Sequence, residues 1–214
     1  MSQKDQLRHQ AFARRKLTTP AERQAAGGKL PLMLPNDLLA SSSFTELENH
    51  TLTVAAYVSM GTEIETRPLL GFLLHQNCRV LVPRLGSGRD IGWSVLSSLD
   101  QLQQTNVAAG NGARPDEPDT PLLNPQALAQ ADLVFAPALA VDPRGYRLGR
   151  GAGWYDRALA ERNPGCPLIA ICWPWEVLDF NLPAEPHDVP ADAILTPTSF
   201  TWLHQPTPSA LSSH

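Results

Sequence analysis

The sequence predicts an α/β protein, a three-layer α/β/α sandwich around a mainly parallel sheet, from two observations. Short apolar runs rich in β-branched residues have the length of buried strands, and helical stretches separate several of them. Strands that alternate with helices form parallel sheets that helices cover on both faces. The predicted strands are 52–58, 79–83, 93–96, 132–137, 168–172 and 192–196.

The predicted helices lie at the beginning of the chain and between the strands. Good helix formers run from Asp5 to about Lys29, and a second helix-start signal at Thr19 predicts two helices with a short break. Further helices are expected at 64–76, 126–131 and 153–162. We predict one domain over residues 1–204 and a disordered tail, rich in Ser, Pro and Thr, over 205–214.

Composition excludes several classes of protein. With 43% hydrophobic and 18% charged residues among 214, the chain can bury a full core. No run approaches the roughly 20 apolar residues of a membrane helix and the first residues are largely polar, so we expect a cytoplasmic protein without a membrane partner. Three unpaired cysteines and six scattered histidines predict neither a disulfide framework nor a transition-metal site.

Positive charge is concentrated at the start of the chain. Residues 1–30 carry seven Lys and Arg against two Asp and Glu, whereas the remaining residues carry ten against nineteen. All three lysines lie in this segment, so any Lys contact to a phosphate must come from it. Lys4 and Arg8 are four residues apart and share one face of the first helix. The segment lacks the aromatic pattern of a nucleic-acid-binding arm, so we expect no nucleic-acid partner.

The strongest chemical signal is a glycine-rich segment that follows the predicted strand ending at Pro137. It holds four glycines within nine residues, and Gly149, Gly151 and Gly153 alternate with other residues. Alternating glycines permit positive φ angles and let backbone N–H groups close on an anion. A helix that starts near Gly153 would add its positive end. The pattern predicts a phosphate site.

Three arginines and an aspartate complete this segment. The guanidinium groups of Arg144, Arg147 and Arg150 could each bind phosphate oxygens through paired N–H groups. Asp156 supplies a carboxylate, the type of ligand that Mg²⁺ prefers. The spacing departs from that of a Walker loop or a dinucleotide fingerprint, so a purely structural turn stays an alternative.

Residues 147–156, Arg-Leu-Gly-Arg-Gly-Ala-Gly-Trp-Tyr-Asp, resemble the nucleotide motif of the 5-formyltetrahydrofolate cyclo-ligases, also called 5,10-methenyltetrahydrofolate synthetases. Three further segments occur in the family order: Lys4 with Arg8, residues 60–66 and residues 186–192. The resemblance covers nearly the whole chain. It implies a sandwich similar to the NagB/RpiA/CoA-transferase-like fold.

The resemblance also implies an enzyme, a ligase that forms a C–N bond. It would convert 5-formyltetrahydrofolate, with or without a polyglutamate tail, to 5,10-methenyltetrahydrofolate, with release of ADP and phosphate. The formyl oxygen would receive a phosphoryl group from ATP, and folate N10 would then close the ring. Mg²⁺ and arginines would neutralise the transferring phosphate. The expected oligomeric state is a monomer or a weak homodimer.

The resemblance implies that the residues matching the family's nucleotide-binding positions bind ATP in this protein. They are Lys4, Arg8, Arg147, Leu148, Gly149, Arg150, Gly151, Ala152, Gly153, Trp154 and Tyr155. Arg147 and Arg150 would also be the catalytic residues. Ala152 stands where some members have Lys and Trp154 where Tyr or Phe is usual, which backbone contacts to phosphate would tolerate. Simple packing roles for Trp154 and Tyr155 stay an alternative.

The folate and metal ligands come from other parts of the chain. The resemblance implies that Val58, Glu63 and Trp154 bind the folate and that Asp156 and Asp192 hold Mg²⁺. Glu63 could instead cap the following helix. Asp192 could instead be a strand-end residue bonded to a nearby turn.

Two other functions stay open. Glycine-rich anion loops on α/β folds also serve phosphosugar isomerases, which need no ATP. A non-catalytic nucleotide- or folate-binding module is the second, although the presence of both Asp156 and Asp192 argues against it. Residues 173–176, Trp-Pro-Trp-Glu, replace a Gln-containing segment of the family, and the resemblance gives them no role.

Overall fold

The computed structural model describes residues 2–39, 51–85, 91–103, 115–151, 153–185 and 187–204. Ala152 and the predicted tail 205–214 lie outside these ranges. The described α-helices are α1 (Gln3–Arg15), α2 (Pro20–Met33), α3 (Arg67–His75) and α4 (Trp154–Leu159). None of the described helices has both the length and the apolar character that crossing a membrane requires.

A sheet of seven strands forms the centre of the molecule, and two small two-stranded sheets flank it. The described strands are β1 (Thr53–Ala55), β2 (Arg79–Leu85), β3 (Ile91–Leu96), β4 (Leu102–Gln103), β5 (Glu117–Pro118), β6 (Leu133–Pro137), β7 (Ala140–Val141), β8 (Arg147–Leu148), β9 (Leu168–Ile171), β10 (Ala193–Thr196) and β11 (Ser199–Trp202). The main sheet has the order β11-β10-β9-β6-β1-β2-β3. Its five inner strands are parallel and both edge strands are antiparallel to their neighbours, which confirms the predicted mainly parallel sheet.

Both faces of the main sheet are buried, as the continuous apolar strands predicted. Val54 and Phe135 belong to a core cluster shared with α2 and α3. Their neighbours Ala55 and Ala136 belong to a second cluster, shared with α4 and with the 3-10 helix Pro125–Gln130. Since successive residues of a strand face opposite sides, these clusters lie on the two faces of the sheet. The predicted α/β/α sandwich is therefore confirmed.

The predicted helices exist but their boundaries differ. The helix expected at 64–76 begins only at Arg67, because residues 64–66 have no regular structure and the bonds that lead into α3 start at Thr66. The stretch expected at 126–131 is a 3-10 helix. The helix expected at 153–162 ends at Leu159 and continues as a turn. Helix ends depend on local capping and packing, which periodicity does not encode.

The antiparallel edge strand β11 was missed from the sequence. Its four residues, Ser-Phe-Thr-Trp, alternate between exposed and half-buried side chains. It pairs with β10 from Ala193↔Trp202 to Thr196↔Ser199. A strand of four residues with two polar positions carries too short an alternation to stand out from a loop.

One close contact between helix α2 and the segment before α3 depends on Gly27. A Cβ at Gly27 would lie 2.0 Å from the backbone oxygen of Glu65, whereas a Cβ at the adjacent Gly28 would have no described atom within 4 Å. We expect Gly27→Ala to lower the free energy of unfolding by about 2 kcal/mol, because overpacking forces the backbone apart. Gly28→Ala should raise it by about 0.5 kcal/mol, because alanine favours the helix.

Urea unfolding of the two variants measures this difference. The variants form a matched pair, since each adds one methyl group to the same helix. Equal stabilities would contradict the close approach of α2 to Glu65.

Candidate active site

A cavity of about 560 Å³ lies where the parallel strands β1 and β6 end. Tyr57 and Val58, which follow β1, line it together with Pro137 at the end of β6. Open parallel sheets bind ligands in the crevice outside the carboxyl ends of their strands. The fold therefore places the cavity where a ligand is expected.

Helix α1 brings two predicted phosphate ligands to the cavity. Lys4 and Arg8 both line it. The Arg8 Nε atom donates a hydrogen bond to the Gly149 carbonyl oxygen at 3.0 Å. The Lys4 ammonium group lies 3.3 Å from Asp188 Oδ2 and 3.8 Å from Glu185 Oε1. Two segments far apart in the sequence, the chain start and the glycine loop, thus meet at one wall.

The glycine loop follows the small hairpin of β7 and β8 and leads directly into α4. Gly151 and Gly153 have φ angles of 99° and 65°, in the region that favours glycine. Gly149 is not among the described glycines with positive φ, so two rather than three of the alternating glycines use this freedom. A Cβ on Gly151 would lie 3.5 Å from the Arg8 Nε atom, so the loop and α1 are in close contact.

Arg147 is an enclosed cation of the cavity wall, with 5% of its side chain exposed. Its Nη2 atom lies 3.5 Å from Asp156 Oδ1 and donates to the Val189 carbonyl oxygen at 3.3 Å. Its buried Nε atom has no hydrogen-bond partner among the described residues. Burial lowers the pKa of this guanidinium group, and the charge of Asp156 opposes the shift. Buried donors are normally paired, so the site fits an anionic ligand.

Arg150 and Glu63 form an ion pair in the cavity wall. The Arg150 Nε atom lies 3.2 Å from Glu63 Oε1, and the Glu63 side chain is 6% exposed. Glu63 Oε2 accepts a hydrogen bond from the Met60 amide, and the N-cap of α3 is Thr66, so Glu63 does not cap that helix. Burial raises the pKa of Glu63, and the charge of Arg150 opposes the shift. The pair joins a predicted phosphate ligand to a predicted folate ligand.

Aromatic side chains form the wall next to Glu63. Tyr57 and Tyr155 line the cavity, and burial raises the pKa of both phenols, which the charge of Glu63 reinforces. Trp154 also lines the cavity and is 37% exposed. Flat aromatic surfaces beside a carboxylate suit a heterocycle with N–H donors.

The two predicted metal ligands are not in equivalent positions. Asp156 lines the cavity, but Asp192 is not among the described lining residues. Asp192 Oδ2 accepts hydrogen bonds from the Leu168 amide at 2.7 Å and from Arg162 at 3.3 Å. This geometry matches the alternative of a strand-end residue, so the metal role of Asp192 stays a prediction.

A further cavity carboxylate, Asp188, was missed from the sequence although it lies in the segment 186–192 that carries the family resemblance. Burial would raise its pKa, but the hydrogen bond from the Glu185 amide and the charge of Lys4 lower it overall. Within the described ranges, no three or more His, Cys, Asp or Glu side chains are grouped to hold a metal. A metal here would need water or ligand oxygens besides Asp156 and Asp188.

A buried ion pair beside the cavity was also missed from the sequence. Arg15 lines the cavity, and its Nε and Nη2 atoms each lie 2.7 Å from one carboxylate oxygen of Glu176. Arg15 Nη2 also donates to the Ala138 carbonyl oxygen at 2.6 Å. Glu176 belongs to residues 173–176, to which the family resemblance assigns no role. Its partner is 161 residues away in the chain, and no local pattern connects the two.

Known sequences resemble this chain over most of its length. The model of the 5-formyltetrahydrofolate cyclo-ligase family matches residues 1–197. The 5-formyltetrahydrofolate cyclo-ligase of Mycolicibacterium smegmatis is 41% identical over 150 residues, which cover 68% of this chain and 73% of that protein. The Escherichia coli protein of the same name is 29% identical over 147 residues, covering 68% and 78% respectively.

Two solved structures share the fold. The 5,10-methenyltetrahydrofolate synthetase of Aquifex aeolicus has a TM-score of 0.70 and 23% identity, and the match covers 94% of this chain and 93% of that one. The enzyme of Mycoplasma pneumoniae has a TM-score of 0.64 and 23% identity, with coverage of 92% and 99%. With the family match over nearly the whole sequence, these findings show that the chain belongs to the 5-formyltetrahydrofolate cyclo-ligase family of enzymes.

Proposed function

We propose that this enzyme uses ATP and Mg²⁺ to convert 5-formyltetrahydrofolate to 5,10-methenyltetrahydrofolate, with release of ADP and phosphate. One observation carries the proposal. Four cationic side chains and the glycine loop line the same cavity as a buried carboxylate and three aromatic rings. These cations are Lys4, Arg8, Arg147 and Arg150, and a fifth cation of the lining, Arg15, is already paired with Glu176. Groups suited to phosphate and groups suited to a heterocycle thus line one cavity, as a reaction between ATP and a folate requires.

The phosphates of ATP would lie between α1 and the glycine loop. Lys4 and Arg8 approach from α1, and the loop contributes backbone N–H groups around Gly151 and Gly153, as well as the flanking Leu148 and Gly149. Arg147 would donate its unpaired Nε–H group to a phosphate oxygen, which would satisfy the buried donor. This arrangement accounts for an otherwise unfavourable buried cation.

The folate would occupy the aromatic side of the cavity. The Glu63 carboxylate would accept N–H groups of the pterin ring, Trp154 would stack on it, and Val58 would contact its edge. Arg150 holds Glu63 in place at 3.2 Å and would also reach the phosphate that passes to the folate. Substrate and phosphate sites would thus share one guanidinium group.

The reaction needs positioning and charge neutralisation more than an enzymic nucleophile. The γ-phosphorus of ATP forms a bond to the formyl oxygen as its bond to ADP breaks. The N10 lone pair then attacks the formyl carbon, N10 loses its proton, and phosphate leaves with the C–O electron pair. Arg147 and Arg150 would neutralise the charge on the moving phosphoryl group.

The carboxylates at the cavity fit Mg²⁺, which prefers oxygen ligands and keeps several waters. Asp156 would hold it, with Asp188 or Asp192 as the second ligand. The position of Asp188 in the cavity wall favours Asp188. When bound, Mg²⁺ would neutralise phosphate charge and so make the phosphorus easier to attack.

The test is the absorbance of the methenyl-folate product after the purified protein is mixed with 5-formyltetrahydrofolate. We expect the band to grow only when ATP and Mg²⁺ are both present, with one ADP formed per product. Growth without ATP would contradict the proposed chemistry. Binding of both ligands without turnover would instead support a non-catalytic module, and turnover of a phosphosugar without ATP would support an isomerase.

The contribution of α1 can be tested by removing its two cations. We expect Lys4→Ala and Arg8→Ala each to raise the KM for ATP by about tenfold or more, because each loses a charged contact to phosphate. The KM for 5-formyltetrahydrofolate should change little. Lys16→Ala, at the exposed other end of α1, is the matched control and should leave both constants unchanged. An unchanged KM for ATP in both cavity variants would rule out this placement of the phosphates.

Metal binding can be assigned by titrating Mg²⁺ against three variants. We expect Asp156→Asn to raise the Mg²⁺ concentration for half-maximal rate by about tenfold or more, because an amide is a weaker ligand than a carboxylate. The variants Asp188→Asn and Asp192→Asn identify the second ligand. Only the variant that removes a true ligand should need a higher Mg²⁺ concentration for half-maximal rate. An unchanged Mg²⁺ requirement in Asp156→Asn would exclude Asp156.

A further inference from the structure

Helix α1 carries two of the proposed phosphate ligands but is attached to the protein in an unusual way. Arg15 is the one buried residue of this helix, all of which is described. The half-buried side chains of α1 pack on a small separate cluster rather than on either main core cluster. These side chains are Leu7, Ala11 and Phe12. The deepest attachment of α1 is therefore a charged group at its last residue.

The Arg15 attachment is directional. Its Nε and Nη2 atoms form two bonds of 2.7 Å to Glu176, and Nη2 also donates to Ala138 at 2.6 Å. Glu176 is fixed in turn, because its Oε2 atom accepts a hydrogen bond from the Trp173 amide at 2.9 Å. A two-bond fork between guanidinium and carboxylate sets an orientation as well as a distance. An apolar contact would not restrain the helix in this way.

The sequence spacing places this fork on the ligand-bearing face of α1. Lys4 and Arg8 precede Arg15 by eleven and seven residues, so all three lie within roughly 40° around the helix. Along the axis, Arg8 and Lys4 are about 10 Å and 16 Å from Arg15. A tilt of about 10° at Arg15 would therefore move Lys4 by about 3 Å. A misplacement of about 1 Å is already enough to slow a reaction strongly.

We propose that Arg15 and Glu176 are positioning residues that set where Lys4 and Arg8 meet the phosphates of the nucleotide. Two of the three guanidinium nitrogens of Arg15 are engaged by Glu176 and Ala138, which suits a holding role rather than a direct contact. The inference rests on the proposed function, since it assumes a nucleotide in the cavity.

The decisive variant is Arg15→Met combined with Glu176→Leu. Apolar residues of similar size can replace a buried ion pair without loss of the fold, so this variant removes the fork and keeps the packing. We expect its Kd for ATP with Mg²⁺, measured by calorimetry, to rise about tenfold or more, as a displaced pair of cations would cause. Arg14→Met, the adjacent arginine whose guanidinium covers Trp175 outside the cavity, is the matched control with an unchanged Kd.

A folded double variant with the Kd of the wild type would overturn the inference. If the double variant does not fold, Glu176→Gln decides, because it keeps the side-chain length but replaces one acceptor oxygen by an N–H donor. We expect a Kd for ATP raised about threefold or more, and an unchanged Kd would again overturn the inference. A wild-type protein that binds no ATP would refute the proposed function itself, which separates the two failures.

Discussion

Arg147→Lys is expected to lower kcat/KM for ATP by about 100- to 1000-fold, the effect typical of losing one group that stabilises transition-state charge. Lysine keeps the positive charge but offers a single ammonium group, so it cannot replace the several N–H groups that Arg147 directs to Asp156, Val189 and the proposed phosphate. The effect should appear mainly in kcat, because the other cations still bind ATP.

Steady-state kinetics of the purified variant measure this effect, with circular dichroism as the check on folding. Arg79→Lys is a matched control, since Arg79 begins β2 at the opposite end of the sheet and bonds to Gln130. We expect its rate constants to equal those of the wild type. A rate within about threefold of the wild type for folded Arg147→Lys would remove Arg147 from the catalytic residues, because the transition-state contribution above is far larger.

Asp142→Ala is expected to lower the free energy of unfolding by about 4 kcal/mol, since it deprives three backbone amides and the Arg144 guanidinium of a buried acceptor. The Asp142 side chain is fully buried and accepts hydrogen bonds from the amides of Arg144, Tyr146 and Leu182 at 2.9–3.0 Å. It also pairs with the Arg144 guanidinium at 2.8 Å. Alanine would remove every acceptor at once.

Chemical denaturation compares this variant with Asp179→Ala, a matched control at an exposed position. We expect a change of at most about 0.5 kcal/mol for the control. Asp142 organises the turn between β7 and β8, which leads into the glycine loop, so Asp142→Ala should also weaken ATP binding. Wild-type stability in Asp142→Ala would show that water replaces these hydrogen bonds.

Short-range patterns in this sequence were enough to predict the layered α/β/α architecture. The runs at 79–83, 132–137 and 168–172 are buried strands, because apolar side chains on both faces of a strand require helices on both sides. The glycine loop and the basic first helix were also predicted from local sequence. Their residue types act through the backbone or through charge, and both properties are visible in a short stretch of sequence.

The role of a side chain that depends on residues distant in the sequence could not be predicted from local patterns. Asp188 and Asp192 stand four residues apart in the same segment, and only their surroundings separate a cavity carboxylate from one bonded to the Leu168 amide. The strand β11 was missed because its pairing with β10, rather than its own pattern, stabilises it.

The residue types and their order thus predict the fold class, a glycine loop suited to an anion and the family, because these follow from short-range propensities and from motifs. The folded chain decides which side chains share the cavity, which carboxylate faces it and what holds α1 in place. Arg15 and Glu176 illustrate the reason, since their pairing joins positions 161 residues apart. Such a contact exists only after the sheet has brought the ends of β6 and β9 together with the first helix.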